Sequence, residues 1–378
     1  RMQHSTNCCF PREEQIRNNY FEYLTDYLQS LSYYFMKALV LDKYMELNYR
    51  DFPDPHMEAD EVLIRVQACG ICGSDIHGMD GSTGRRIPPL VMGHEAAGII
   101  TEVGTAVTGW KAGDRVTFDS TIYPLDDWFT RRGHYNLSDN RKVLGVSPGN
   151  YTKHGAFAEL VSVPAHILYK IPDNVSFEQA AMVEPAAVAL HAVNVSGIQL
   201  GQNAVVIGTG TIGLFVVKLL QTAGVYPIIA IDMDEKKLEL SKAFGATHTF
   251  LSSDKTVSEK IQQLTKGRNA DVAFEAVGVS ETVNLCINSL RKGGKAILIG
   301  NLMPEVTVPL QKIVTTELSL LGSCAINGEY ETVLELMASG KMDVDGMISA
   351  AAPLSKGAEW FNRLYRKEAG INKVILIP

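Results

Sequence analysis

Between residues 69 and 98 the chain gathers sulfur, imidazole and carboxylate side chains into two short blocks. They read Cys69-Gly70-Ile71-Cys72-Gly73-Ser74-Asp75-Ile76-His77 and Gly93-His94-Glu95-Ala96-Ala97-Gly98. Thiolate and imidazole suit Zn²⁺, and a catalytic zinc takes three protein ligands and leaves one position open. Cys69-x-x-Cys72 also has the spacing of a structural knuckle or a redox pair. A knuckle needs a second ligand pair of similar spacing, and the sequence holds none. One loop cysteine with a distant His-Glu pair suits an open site better.

A second block, Gly208-Thr209-Gly210-Thr211-Ile212-Gly213, follows the apolar run Ala204–Ile207 and leads into a helical pattern. In that context G-x-G-x-x-G is a dinucleotide cradle. Gly208 permits the tight turn, Gly210 the approach of a pyrophosphate, and Gly213 close packing of helix on strand. The helix start at Thr211 and Ile212 turns N–H groups and positive dipole toward the phosphates. Asp232 stands 19 residues past Gly213, at the end of the next apolar run. A carboxylate there accepts hydrogen bonds from ribose hydroxyls and repels a 2′-phosphate. No Arg follows it, so the expected cofactor is NAD rather than NADP, with Lys237 among the candidate cofactor-binding residues. A glycine-rich turn serving only packing is the bland alternative.

The elements around these blocks change character along the chain. From Arg12 to Phe35, apolar residues recur at helical spacing, which predicts an appended helix over residues 1–35. It is either a loosely docked appendage or an oligomerisation helix. Its acidic residues and lack of an apolar core argue against a targeting segment. Residues 36–185 hold short β-like runs (Val62–Val66, Ala97–Val103, Arg115–Phe118, Phe157–Val163) broken by Gly and Pro, the pattern of a barrel-like all-β unit. Residues 186–325 alternate strands (Ala204–Ile207, Pro227–Ile231, Asp271–Glu275, Lys295–Ile299) with helices (Ile212–Ala223, Glu235–Phe244). That alternation predicts an α/β, doubly wound parallel sheet. Residues 326–378, with a helix at Tyr330–Ser339 and a strand at Lys373–Ile377, are expected to rejoin the first unit.

Composition sets the outer limits. A chain of 378 residues allows two or three domains at about 150 residues each. The net charge of −7, from 35 basic and 42 acidic residues, argues against nucleic acid or an anionic membrane as partner. The longest apolar stretch, near Ala204–Val217, is too short and too broken by Gly and Thr to span a bilayer. Six scattered cysteines do not make a disulfide scaffold, and a reducing, cytoplasmic setting is expected.

Taken in order, the motifs resemble the zinc-dependent medium-chain dehydrogenase family, in its sorbitol/iditol/threonine dehydrogenase-like branch. They are Cys72-Gly73-Ser74-Asp75-x-His77, Gly93-His94-Glu95-x-x-Gly98 running on to Gly104 and Val107, Gly113-Asp114-Arg115-Val116, and the glycine fingerprint. The resemblance covers Met36–Pro378 and implies a GroES-like β-barrel catalytic domain, a Rossmann NAD-binding domain and a cleft between them. It implies Cys72 and His94 as zinc ligands and, where alcohol dehydrogenases carry a second cysteine, Glu184 within Met182-Val183-Glu184-Pro185. Glu95 competes with Glu184 for that place. Asp75 is expected to orient His94, and Cys69 to be a core residue. Lys373 matches a basic position that contacts the pyrophosphate, or else is a strand-start surface lysine. The family's structural zinc uses C-x₂-C-x₂-C-x₇-C; the corresponding Pro124, Asp127, Thr130 and Ser138 are poor ligands, so that zinc is expected to be absent and the lobe held by packing.

By the same resemblance, zinc acidifies the substrate hydroxyl, hydride passes to nicotinamide, and Ser74 and His77 relay the proton, with Glu95 beside the metal. The expected reaction is reversible oxidation of a polyol or other secondary alcohol to a ketone, by a homodimer or homotetramer. L-Threonine, butanediol and sugar-alcohol phosphates are alternative substrates, and Gly78, where sorbitol-type enzymes often carry tyrosine, departs from the sorbitol pattern. Arg85-Arg86 is open to phosphate or carboxylate binding, or is two solvated charges. His134, His154, His191 and His248 lack a motif and read as structural. A non-catalytic NAD-binding protein is the reading from another class; the intact Cys72, Ser74, His77, His94, Glu95 and Glu184 oppose it.

Overall fold

A computed structural model describes residues 35–378; of the helix and oligomerisation role expected of residues 1–35, all but Phe35 lies outside the described residues, and Phe35 begins a strand instead. Six parallel strands form one sheet in the order His248–Leu251, Ile228–Asp232, Ala204–Ile207, Ala270–Glu275, Leu290–Leu298, Ser319–Gly322. In chain order that is 3-2-1-4-5-6, the doubly wound arrangement whose crevice lies where the order reverses, at the carboxyl end of the first strand. Both faces are covered, which is why its inner strands are apolar throughout. Val206 and Ala230 pack in one cluster with Phe215 and Tyr330, and Val205, Ile207, Ile229 and Ile231 in another with Ile261 and Cys286.

The second unit is all β with short helices. Phe35–Lys43 pairs with Glu46–Pro53 and Leu90–Val91. A larger sheet runs Leu168–Lys170, Arg115–Phe118, Glu95–Val103, Glu61–Gly70, Lys373–Ile377, Ile348–Pro353, with Leu160–Pro164 also on Glu61–Gly70. The chain therefore does return after the parallel sheet, and its last strand lies beside the strands that carry the chemistry. Leu39, Leu41, Ile64, Phe118 and Phe157 fill this unit's core. Between the units runs the helix Val183–Ser196, rich in buried alanines and ended by Gly197 at φ 58°. Small residues at its face let it approach both sheets: Ala68 and Ala97 of one share a cluster with Ala186 and Ala187 of the helix and Val206 of the other.

Candidate active site

The site is built on three adjoining strand ends and one short helix. Gly70 pairs with Glu95 and with Ile375, which sets the ends of Glu61–Gly70, Glu95–Val103 and Lys373–Ile377 side by side. Cys72, expected on a loop, caps the helix Gly73–Met79, and its N–H donates to Asp75 Oδ2 at 3.2 Å. That turn holds Cys72, Ser74 and Asp75 together; Ser74 Oγ donates to Cys72 Sγ at 3.3 Å.

Cys72, His94 and Glu95 each offer a ligand atom within 4.8 Å of the other two. Cys72 is half-buried and the other two are buried. His94 Nδ1 lies 3.4 Å from Asp75 Oδ1 but has no hydrogen-bond partner of its own. Burial opposes charge on His94, yet Asp75 and Cys72 outweigh it and hold its pKa well above the ordinary value. Asp75 is held down to about 2 despite burial, by His94, Arg86 and the Cys72 N–H.

Glu184 stands one step back. It sits buried in the first turn of Val183–Ser196, not at a strand end, and accepts from Ser120 Oγ at 2.9 Å. It is not among the side chains that cluster with Cys72 and His94. Of the two carboxylates weighed from the sequence, Glu95 lies in the close group and Glu184 behind it. Burial, with Glu95 and Asp119 adding to it, pushes Glu184 up to about 7 against His94.

The residues present fit a divalent metal. Asp75 has the buried cation Arg86 at 3.2 Å, and Glu95 has the buried cation Lys373 at 2.6 Å. The Cys72 thiol and the Glu184 carboxyl have no Lys or Arg ion-pair partner among the described residues, and His94 bears on both. Thiolate, imidazole and carboxylate, the donor types that Cys72, His94 and Glu95 offer, are those that bind Zn²⁺.

Lys373 requires a correction. Expected at the cofactor's pyrophosphate, it is 2 % exposed and donates to Glu95 Oε2 and to the Ile71 carbonyl at 3.1 Å. The strand that begins with it lies beside Glu61–Gly70, which turns its side chain onto the metal-capable cluster. Gly70 makes the contact possible: a Cβ there would lie 2.3 Å from Glu95 Oε2. Arg86, open in the sequence to a ligand or to solvent, is buried as well; it donates to Ser74 Oγ at 3.0 Å and to Asp75. Nothing in the local sequence marked either contact.

The remaining residues fall as follows. His77 is half-exposed in the last turn of Gly73–Met79, one turn after Ser74. Cys69 is fully buried, and burial pushes its thiol pKa well up. His154 accepts from the Val91 N–H at 3.3 Å, and His191 pairs with Glu329 at 2.8 Å, both away from the cluster.

On the cofactor side, Gly208 has φ +86° and a Cβ would lie 2.4 Å from Val277 Cγ2. A Cβ on Gly213 would lie 1.8 Å from the Gly208 carbonyl oxygen, so the helix Thr211–Thr222 can start here only on glycine. Beside Gly210 there is open space, and Thr211 and Ile212 are half-exposed. Asp232 Oδ2 accepts from Thr209 N and Oγ1 at 2.6 and 3.1 Å, and Oδ1 from Asp234 N at 3.0 Å. One acceptor position on Oδ1 is left toward a ribose hydroxyl. Lys237 lies half-buried near the start of Glu235–Ala243.

In the lobe where a structural zinc would sit, three of the four corresponding positions converge on one carboxylate. Asp127 accepts from the Thr130 N–H at 2.7 Å and from Ser138 Oγ. The lobe is then tied to the segment after the parallel sheet: Tyr135 Oη accepts from Gly328 N at 2.8 Å, Asn136 Nδ2 donates to the Cys324 carbonyl at 2.9 Å, and Asn327 Nδ2 to the Gly133 carbonyl at 2.8 Å.

Comparison with known proteins agrees with this geometry. The GroES-like domain of alcohol dehydrogenases matches residues 58–173, and the zinc-binding dehydrogenase family matches residues 211–339. D-xylulose reductase A of Aspergillus oryzae is 32% identical over 336 residues, covering 86% of this chain and 93% of its own. Sorbitol dehydrogenase of Bacillus subtilis is 31% identical over 348 residues, covering 91% and 97%. A zinc-binding dehydrogenase of Sinorhizobium meliloti, solved with NADP bound, superposes with a TM-score of 0.84 at 32% identity, covering 91% of this chain and all of that one. With ligand cluster, glycine cradle and both units in place, the chain belongs to the zinc-dependent medium-chain dehydrogenase family, enzymes that work with zinc and a nicotinamide dinucleotide.

Proposed function

We propose that the chain is an NAD-dependent polyol dehydrogenase that reversibly oxidises a secondary alcohol to a ketone. The carrying observation is that Cys72, His94 and the carboxylate Glu95, rather than a second thiolate, come together beside Ser74. The two relatives named above act, by their names, on xylulose and sorbitol, which supports a polyhydroxylated substrate.

When bound, zinc supplies the Lewis acidity that makes the substrate hydroxyl acidic, and the nicotinamide takes the hydride. Cys72, His94 and Glu95 would hold the metal, with Asp75 orienting His94 and Glu184 behind as the alternative carboxylate. Ser74 Oγ takes the substrate hydroxyl proton while losing its own hydrogen, and His77 passes that proton to solvent. Asp232 selects NAD through its acceptor oxygen and its negative charge, whereas the S. meliloti relative was solved with NADP.

We take residues 36–185 and 326–378 as the catalytic unit and 186–325 as the cofactor unit, in a homodimer or homotetramer of the cytoplasm. No helix of the described residues is long and apolar enough to cross a membrane. The test is a screen for NAD reduction over polyols, amino alcohols, diols and their phosphates. A polyol should give the highest kcat/KM. Inactivity across the panel with zinc and NAD bound would sink the enzymatic reading in favour of a non-catalytic NAD-binding protein.

A further inference from the structure

Arg86 is 5 % exposed, and its guanidinium sits where the two functions of the Cys72 helix meet. One nitrogen donates both to Ser74 Oγ at 3.0 Å and to Asp75 Oδ1 at 3.2 Å. Its stem lies against Gly78: a Cβ there would fall 1.8 Å from Arg86 Cδ and 2.7 Å from Nε. Glycine at 78 and arginine at 86 are therefore one steric unit, and no larger residue can follow His77 while Arg86 keeps this place.

We propose that Arg86 is a positioning residue for the oxidation step, acting through Ser74. This rests on the proton-relay reading of Ser74 given above. A serine oxygen has two acceptor positions and one hydrogen. With one acceptor position filled by Arg86 and the hydroxyl hydrogen directed at Cys72 Sγ, a single lone pair remains to receive the proton as the substrate O–H bond breaks, and the hydroxyl hydrogen must turn from the sulfur to be released by way of His77 to solvent. The hydride goes to the nicotinamide, so charge and atoms balance. Arg86 thereby removes rotational freedom from the hydroxyl, and its permanent charge, one hydrogen bond from Ser74 Oγ, favours the deprotonated substrate. Asp75 keeps that buried charge compensated.

The test uses the zinc-loaded enzyme with NAD and its best polyol. Arg86→Lys keeps a charge beside Asp75, but the stem is one atom shorter and withdraws the donor from Ser74. It should lower kcat on the order of tenfold with KM changed less than about twofold. Gly78→Ala, which alters no charge, should reproduce that loss by displacing the arginine. Ser74→Ala should be slow, and the Arg86→Lys/Ser74→Ala double variant no slower than Ser74→Ala alone. With Co²⁺ in place of zinc, the visible absorption bands of Arg86→Lys should match those of the parent, because the ligands are untouched. Full kcat in Arg86→Lys, additive losses in the double variant, or shifted cobalt bands would overturn the proposal, the last by showing that Arg86 acts through Asp75 and His94. Full activity in Ser74→Ala would instead bring down the relay reading itself.

Discussion

The ammonium of Lys373 donates to Oε2 of Glu95 across 2.6 Å, although 278 residues separate them in the sequence. Neither side chain is more than 2 % exposed. Burial disfavours the charged amine, but Glu95, with Cys72 and Glu184 nearby, more than offsets it and keeps the lysine pKa above its ordinary value. The closing strand of the chain thus sets a buried ammonium against the carboxylate that lies beside Cys72 and His94.

Replacing Lys373 by Met leaves Glu95 buried without its cation. Breaking a buried pair in this way costs roughly 3–5 kcal/mol. Chemical denaturation of the metal-free protein should show a loss of about that size, and an unchanged midpoint would mean that the pair contributes nothing to the fold.

Asp232 braces Thr209 and ends the strand Ile228–Asp232 beside the glycine cradle. Asp232→Ser removes the negative charge and keeps a short polar group. The ratio of kcat/KM for NAD to that for NADP should fall at least tenfold, through loss with NAD and gain with NADP. A ratio unmoved by the substitution would place cofactor selection elsewhere.

Asp119 gives a pH dependence whose sign can be worked out. It is 1 % exposed, and its carboxylate accepts from Tyr135 Oη at 2.7 Å and the Thr121 N–H at 2.8 Å. Burial, reinforced by Glu329, raises its pKa from 3.8 to about 6 in spite of these bonds. Below pH 4 folded and unfolded chains both hold the proton, so the group is neutral in the balance. Between pH 4 and 6 the unfolded chain releases it first, and stability falls with rising pH, by at most about 3 kcal/mol. Asp119→Asn should lack this decline, so its stability relative to the parent should rise from pH 4 to 7. Parallel stability curves for the two proteins would refute the assignment.

Asp127 gathers Thr130 and Ser138 at positions where the family's structural zinc would find cysteines. Asp127→Ala should make residues 125–140 several-fold more susceptible to limited proteolysis. Equal cleavage rates would show that the contacts with Cys324, Asn327 and Gly328 alone hold the lobe.

Much of the frame was legible in advance because it is local. The strands Ala204–Ile207 and Arg115–Phe118 are continuous apolar or alternating runs, and the glycine fingerprint carries its own steric logic at Gly208 and Gly213. Cys72 and His94 could be read from short motifs. The partners of those ligands could not, because they arrive from distant strands. Lys373 reaches Glu95 only once the last strand has paired beside Glu61–Gly70, and Ser120 holds Glu184 across 64 residues. Arg86 lies in a polar Gly/Ser/Thr stretch that reads as a solvated loop, and only the bare Cα of Gly78 gives it a buried place. His248–Leu251 and Ser319–Gly322, at the edges of the parallel sheet, are short and half-exposed and lack the apolar signature of the inner strands.

The chemistry rests on a metal at Cys72, His94 and Glu95, and zinc content after exhaustive dialysis, measured alongside NAD reduction with the best polyol, tests this most directly. The parent should retain one zinc per chain, Cys72→Ala and Glu95→Ala should lose zinc and activity together, and Glu184→Gln should keep its zinc. A Cys72→Ala protein that still holds one tight zinc, or a parent that holds two, would contradict it.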